Sequence, residues 1–176
     1  MISRRLISFI VITLLLILLV VKLPIITVLG FYDDTTDEMI AYRPLKIEDT
    51  FQIVFVHSIH LTDVTEKYEI ITEGKIKQYE MIFSQFGIGM PSEVEEHEVI
   101  EYKDGFYHLT QINNIFDTLH IRNGKTVSEH RFRWQLQGEE LHEVFINDYI
   151  APGETFILKV AKITLLDMWK EVKIHE

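Results

Sequence analysis

Apolar positions fall into two regimes along this chain. From Leu6 to Val21, LISFIVITLLLILLVV, there is no charge, and after a single Lys22 the run LPIITVLGF continues to Phe31. About 20 apolar residues suffice for a helix to cross the hydrocarbon core, and one lysine can reach toward the headgroups. This region is expected to be a membrane anchor. Beyond it, short β-branched and aromatic runs alternate with polar residues and turn signals, with no sustained helical period. The polar stretch YDDTTDE at 32–38 is expected to be a tether.

Three dipeptides predict two-residue hairpin turns: Gly74-Lys75, Asp104-Gly105 and Asn123-Gly124. Asp-Gly and Asn-Gly favour the positive φ angles of a type I′ turn, and Gly-Lys suits type II′. Near the end, TFILKV follows an APGE turn and alternates Phe156, Leu158 and Val160 on one face. Short strands at this spacing predict an all-β domain of eight or nine strands, either a β-sandwich or a small β-barrel.

Alternation in FQIVFVHS puts Phe51, Ile53, Phe55 and His57 on one face, and in TEKYEIIT it groups Glu66, Tyr68 and Ile70. Pairing Phe55 with Tyr68 and Ile53 with Ile70 sets His57 opposite Glu66. Closing the next hairpin at Gly74-Lys75 brings Ile70 to Tyr79, Tyr68 to Met81 and Glu66 to Phe83. The expected result is one apolar face ending in a His57–Glu66 pair. Two roles are open to it: a self-satisfied polar pair at the core margin, with Ser58 or Thr65 tying down the loop, or a ligand- or partner-contacting rim.

Charge narrows the partners. Seventeen basic and 27 acidic residues give a net −10; Arg4, Arg5 and Lys22 stand in the anchor region, so the remainder carries 14 bases against 27 acids, or −13. That field opposes both nucleic acid and anionic lipid headgroups, and nucleic acid is excluded as a partner. The absence of cysteine removes disulfides, thiol nucleophiles and thiolate metal sites. Arg4 and Arg5 place the N-terminus in the cytoplasm and the rest outside by the positive-inside rule. The alternative is a signal peptide cleaved near Val28-Leu29-Gly30, but the apolar run exceeds the usual length of about 7–15 residues.

No catalytic or metal constellation emerges. His57, His60 and Glu66 on an irregular loop match no zinc signature, and Ser58 beside His57 lacks the Gly-x-Ser-x-Gly elbow. Glu93, Glu95, Glu96 and Glu98 form an acidic run without the spacing of a calcium loop. In FGIGMP, residues 86–91, Gly87 and Gly89 mark backbone conformations or close approaches that a side chain would forbid. This turn is expected near His57, as a structural turn first and a ligand rim second.

An apolar strand ending in His57-Ser58, Glu66 nine residues on, and a following Phe86-Gly87-x-Gly89-x-Pro91 turn together resemble the bacterial family catalogued as domain of unknown function 1850. The resemblance is strongest from Phe55 to Pro91, includes Val64, and is weaker in FDTLHIRNG and APGETFILKV. This chain has His60 where that family often has an acidic residue, Asp63 where it has proline and Ile88 where it has alanine, so ligand contacts of the intervening loop are not carried over. The resemblance implies a small extracytoplasmic protein associated with TRAP-type transporters of the TAXI class, and it implies no activity.

The expected organisation is therefore an anchor over 1–30, a tether and approach over 31–50, and an extracytoplasmic β domain over 51–176. The expected function is that of a non-enzymatic accessory protein of a TRAP/TAXI-type uptake system, contacting the permease or its solute-binding protein and using no cofactor. Candidate contact residues are His57, Ser58, Glu66, Gly87, Gly89 and Pro91. The alternatives are an autonomous small-ligand or pH-sensing module and, less favoured, a metal-dependent hydrolase.

Overall fold

The computed structural model describes residues 4–91, 93–127, 129–136 and 140–175. Helix α1 (Arg4–Val21) carries the uncharged run and buries no residue against the rest of the chain. It is the one described helix long and apolar enough to cross a membrane, with a mean hydropathy of 2.5. Eighteen residues span about 27 Å, close to the thickness of a hydrocarbon core.

Twelve strands follow among the described residues: β1 (Ile26–Asp33), β2 (Met39–Arg43), β3 (Thr50–Val56), β4 (Asp63–Ile71), β5 (Lys75–Phe83), β6 (Val99–Lys103), β7 (Phe106–Phe116), β8 (Leu119–Arg122), β9 (Arg131–Gln135), β10 (His142–Phe145), β11 (Thr155–Ile163) and β12 (Val172–Lys173). A short helix α2 (Leu165–Lys170) lies between the last two. The strands form two sheets, ordered β12-β2-β1-β11-β8 and β10-β9-β3-β4-β5-β7-β6. The fold is thus an all-β sandwich preceded by one helix.

Its main core joins Leu29, Phe31, Phe156 and Leu158 of the first sheet to Phe51, Ile70, Phe132 and Trp134 of the second. Phe31 meets Phe132 edge-on across the gap, with centroids 5.1 Å apart. Burying each such side chain stabilises by roughly 1.5–3 kcal/mol. A second cluster, Val64, Phe83, Met90, Leu109 and Ile112, continues the inner face of the larger sheet.

The boundaries expected for the anchor and tether differ from the structure. The helix stops at Val21, and Ile26–Gly30 enter β1, where Val28 and Leu29 are fully buried. A central strand buried on both faces is apolar throughout, so periodicity does not separate it from a membrane helix. The polar stretch 32–38 is the end of β1 and a hairpin connection instead of a tether: Tyr32 and Asp33 still pair with β11, Asp33 Oδ1 accepts from the amides of Thr35 and Thr36 at 2.8 and 2.7 Å, and β2 begins at Met39.

Of the three turns, Asp104-Gly105 forms as expected, with φ of 55° and 88° and Lys103 opposite Phe106. The β4–β5 connection is a three-residue turn at Thr72–Gly74, with positive φ at Glu73 and Gly74, so Ile70 pairs with Ile76 and not with Tyr79. Asn123-Gly124 makes no hairpin, because β8 and β9 belong to different sheets. The fully buried Asn123 amide instead donates to Asn147 Oδ1 and the Ile150 carbonyl, both at 2.8 Å, tying the chain before β11 into place.

Candidate functional site

The β3–β4 connection and the β5–β6 loop meet at one end of the larger sheet. The former closes tightly: the His57 amide donates to the Thr62 carbonyl at 2.9 Å, the Leu61 amide donates to the His57 carbonyl at 2.8 Å, and Leu61 has a φ of 54°. Val56 therefore pairs with Asp63, Phe55 with Val64, Ile53 with Glu66 and Phe51 with Tyr68. The expected pairing is displaced by four residues. An even displacement keeps each side chain on its face but changes its neighbour, and His57 does not face Glu66.

His57 is buried and uses both ring nitrogens inside the loops. Nδ1 accepts from the amides of Ile59 and His60 at 3.3 and 3.2 Å, so Nε2 carries the proton and donates to the Ile88 carbonyl at 2.9 Å. The His60 ring stacks on that of His57, with centroids 4.6 Å apart and planes inclined by 19°.

The FGIGMP turn is shaped to this pair. A Cβ on Gly87 would lie 2.5 Å from His60 Nε2, so glycine permits the close approach. The Met90 amide donates to the Gly87 carbonyl at 3.0 Å, closing a four-residue turn whose third position, Gly89, has a φ of 86° that favours glycine. Met90 enters the second core cluster, while half-buried Pro91 borders a small cavity beside Met81 and Leu109. Ser58 is solvent-exposed.

The structure thus gathers His57, Gly87 and the backbone of Ile88, adds His60, and separates Glu66. Four register positions along the strand amount to roughly 13 Å. Glu66 lies on the inner face between Val64 and Tyr68, where burial pushes its carboxyl above the ordinary range, partly offset by a 2.8 Å hydrogen bond from the Tyr68 hydroxyl. The Tyr68 hydroxyl is pushed up in turn by burial and by the neighbouring carboxylate.

The locked loops leave apolar side chains in water. Ile59, Leu61, Phe86 and Ile88 are 58%, 65%, 47% and 81% exposed. Clustered exposed apolar side chains of this kind mark interaction surfaces in soluble domains. Phe86 and Ile88 stood out in the sequence only as motif positions and Ile59 and Leu61 not at all; the signal for this surface was large apolar side chains inside segments that also carry turn residues.

A separate polar group occupies the outer face of the same sheet. Glu80 accepts from Lys67 Nζ at 2.8 Å and contacts His108 Nδ1 at 3.0 Å. Burial raises the Glu80 carboxyl, but these hydrogen bonds outweigh that effect and hold it below the ordinary range. The pairing of Lys67 with Glu80 follows from the true β4–β5 register, including its bulge after Lys67. Among the described residues, no group of three or more histidine, aspartate and glutamate side chains is arranged to hold a metal ion.

A family model described as Domain of unknown function (DUF1850) matches residues 51–141, more than half of the chain, and the chain belongs to that family. The match runs from β3 through β9 and contains both loops of the site. No curated protein matches the chain, and no solved structure does.

Proposed function

From this family membership we propose that the chain is a non-enzymatic, membrane-anchored accessory protein of a TRAP-type solute uptake system of the TAXI class. In this reading α1 spans the membrane with Arg4 and Arg5 in the cytoplasm, and the sandwich stands outside. The anchor is supported by the continuity of chain into the sheet. Cleavage near Gly30 would remove Ile26–Gly30 from β1, which pairs with β2 on one side and β11 on the other.

The observation that carries the accessory role is the apolar loop tip, Ile59, Leu61, Phe86 and Ile88, held in shape by the His57–Ile88 hydrogen bond. Both nitrogens of His57 are engaged in that scaffold, and the Glu66 carboxyl is enclosed and bonded to Tyr68, so each serves architecture before chemistry. The surface fits an apolar patch on the permease or its solute-binding protein.

Purification of the C-terminally tagged chain from native membranes in mild detergent tests this reading. A TRAP-type permease or solute-binding protein should co-purify stoichiometrically, and Ile88→Asp should abolish its recovery while leaving the thermal midpoint unchanged. Recovery of the chain alone would overturn the accessory role and direct attention to a ligand-binding module, detectable by thermal shift across organic acids.

A further inference from the structure

The opposite end of the sandwich carries a second feature. A cleft of about 600 Å³ opens between the sheets, lined by Thr27 at the start of β1, Lys46, Ile47, Ile70, Val160 and Lys162, with Glu73 also at its edge. Ile70 is fully buried and Val160 packs on the main core, so the floor is apolar. The rim carries two lysines against the one carboxylate of Glu73: neither Lys46 nor Lys162 has an ion-pair partner among the described residues, and Ile47 is 52% exposed.

Chain continuity fixes where this mouth lies. Only Lys22, Leu23, Pro24 and Ile25 separate the end of α1 from the first residue of β1. Even fully extended, the five steps from Val21 to Ile26 cover about 17 Å. Backbone hydrogen bonds from Lys22 to Leu19 and from Leu23 to Val20 continue the helical turn and shorten that reach. Leu23 and Ile25 are themselves exposed, at 41% and 59%. With α1 in a bilayer, the mouth lies within reach of the headgroups, and lysines stand there in a domain whose net charge is strongly negative.

We infer that this cleft binds an anionic phospholipid of the surrounding bilayer, with its phosphate between Lys46 and Lys162 and the start of an acyl chain against Ile47, Ile70 and Val160. The inference rests on reading α1 as a membrane anchor. Lipid is the occupant because the same opening offers an apolar floor and a rim on which two lysines outweigh the Glu73 carboxylate, within one short link of the span. A bound lipid would fix the tilt of the sandwich on the membrane and thereby the height of the loop tip.

The test uses the full chain, extracted in mild detergent, stripped of lipid, and offered phosphatidylglycerol or phosphatidylcholine at equal concentration, with retained lipid counted by native mass spectrometry. Each lysine near an anionic surface contributes a few-fold, so phosphatidylglycerol should be retained about tenfold over phosphatidylcholine. Lys46→Gln/Lys162→Gln should bring the ratio near one, and Ile47→Asp should reduce retention of both lipids. Equal retention by the parent chain would overturn the inference, as would a preference that survives in the double-lysine variant, since lipid around α1 would then account for it. Displacement by millimolar inorganic phosphate would also overturn it, leaving a site for the anion alone. Alkaline carbonate extraction tests the anchor separately: a chain that resists extraction but lacks the lipid preference retains the anchor and loses the cleft, whereas an extracted chain loses both.

Discussion

His57 and Ile88 are 31 residues apart in sequence and are joined by a 2.9 Å hydrogen bond from imidazole Nε2 to the backbone carbonyl. The same ring accepts two amides of its own loop, so one buried side chain organises both motif segments. His57→Ala leaves those backbone groups without their partner and opens a void. Loss of about 2–4 kcal/mol is expected, measured by urea unfolding of the detergent-solubilised chain. A loss below about 0.5 kcal/mol would show that the loops hold without it.

Gly87→Ala should reveal the contact with His60. The added methyl has nowhere to go while the imidazole stays stacked on His57, and a cost of about 1–3 kcal/mol is expected for such overpacking. In a His60→Ala background the same change should be nearly neutral. Additive effects in this double-mutant cycle would disprove the coupling.

Two titrating groups, His130 and Glu66, pull stability in opposite directions with pH. His130, stacked on Phe55 and accepting from the Gly124 amide, is held down at about 4 by burial, against an ordinary 6.5. Its folded form therefore binds the proton more weakly than the unfolded chain does. The associated stability is complete above pH 6.5 and is lost as pH falls toward 4, by about 2 kcal/mol after allowance for its partial solvation. His130→Gln should flatten the thermal midpoint over that interval, and an unaltered acid limb would exclude His130 as its source.

For Glu66 the sign is reversed. Burial raises the folded value above the unfolded one, so its stabilising protonation is complete below about pH 4.5 and is lost as pH rises through the folded value. Glu66→Gln keeps an acceptor for the Tyr68 hydroxyl without the buried charge. Its thermal midpoint should rise at pH 7 by roughly 2–5 °C, the change that about 1 kcal/mol produces in a domain of this size, and match the parent at pH 4. A fall at pH 7 would mean that the ionised carboxylate is the stabilising form.

A chain beginning at Leu23 should fold, and one beginning at Phe31 should not. The shorter chain loses buried Val28 and Leu29 together with the pairing of Ile26–Gly30 to β11. These losses exceed about 5 kcal/mol, which is comparable with the whole stability of a small domain. Near-ultraviolet circular dichroism and resistance to limited proteolysis would distinguish the two, and a native signal from the shorter chain would restore cleavage near Gly30 as a route to a mature protein.

Much of the sandwich was legible wherever a local rule acted alone. Asp104-Gly105 forms its turn because both residues accept positive φ and nothing else competes for them, and Phe156 and Leu158 alternate into the core as their spacing requires. Asn123 followed a different rule: its side chain was needed to bond the chain before β11, and that tertiary demand overrode the turn preference. The His57–Glu66 pairing failed because inward phase was readable and register was not. Register depended on the tight closure from His57 to Thr62, with Leu61 in a conformation that its residue type does not announce. Gly87 and Gly89 were legible as backbone necessities, one by close approach and the other by φ, whereas the particular partner at Gly87, His60, required the fold.

The passage from α1 into β1 has a mechanical consequence. β1 lies between β2 and β11 in the smaller sheet, and its inter-strand hydrogen bonds run across the strand direction. A pull along the helix reaches the sandwich as shear on a middle strand, loading the bonds on both sides together instead of peeling them singly. With only four residues between helix and strand, little chain is left to take up that load before it reaches β1.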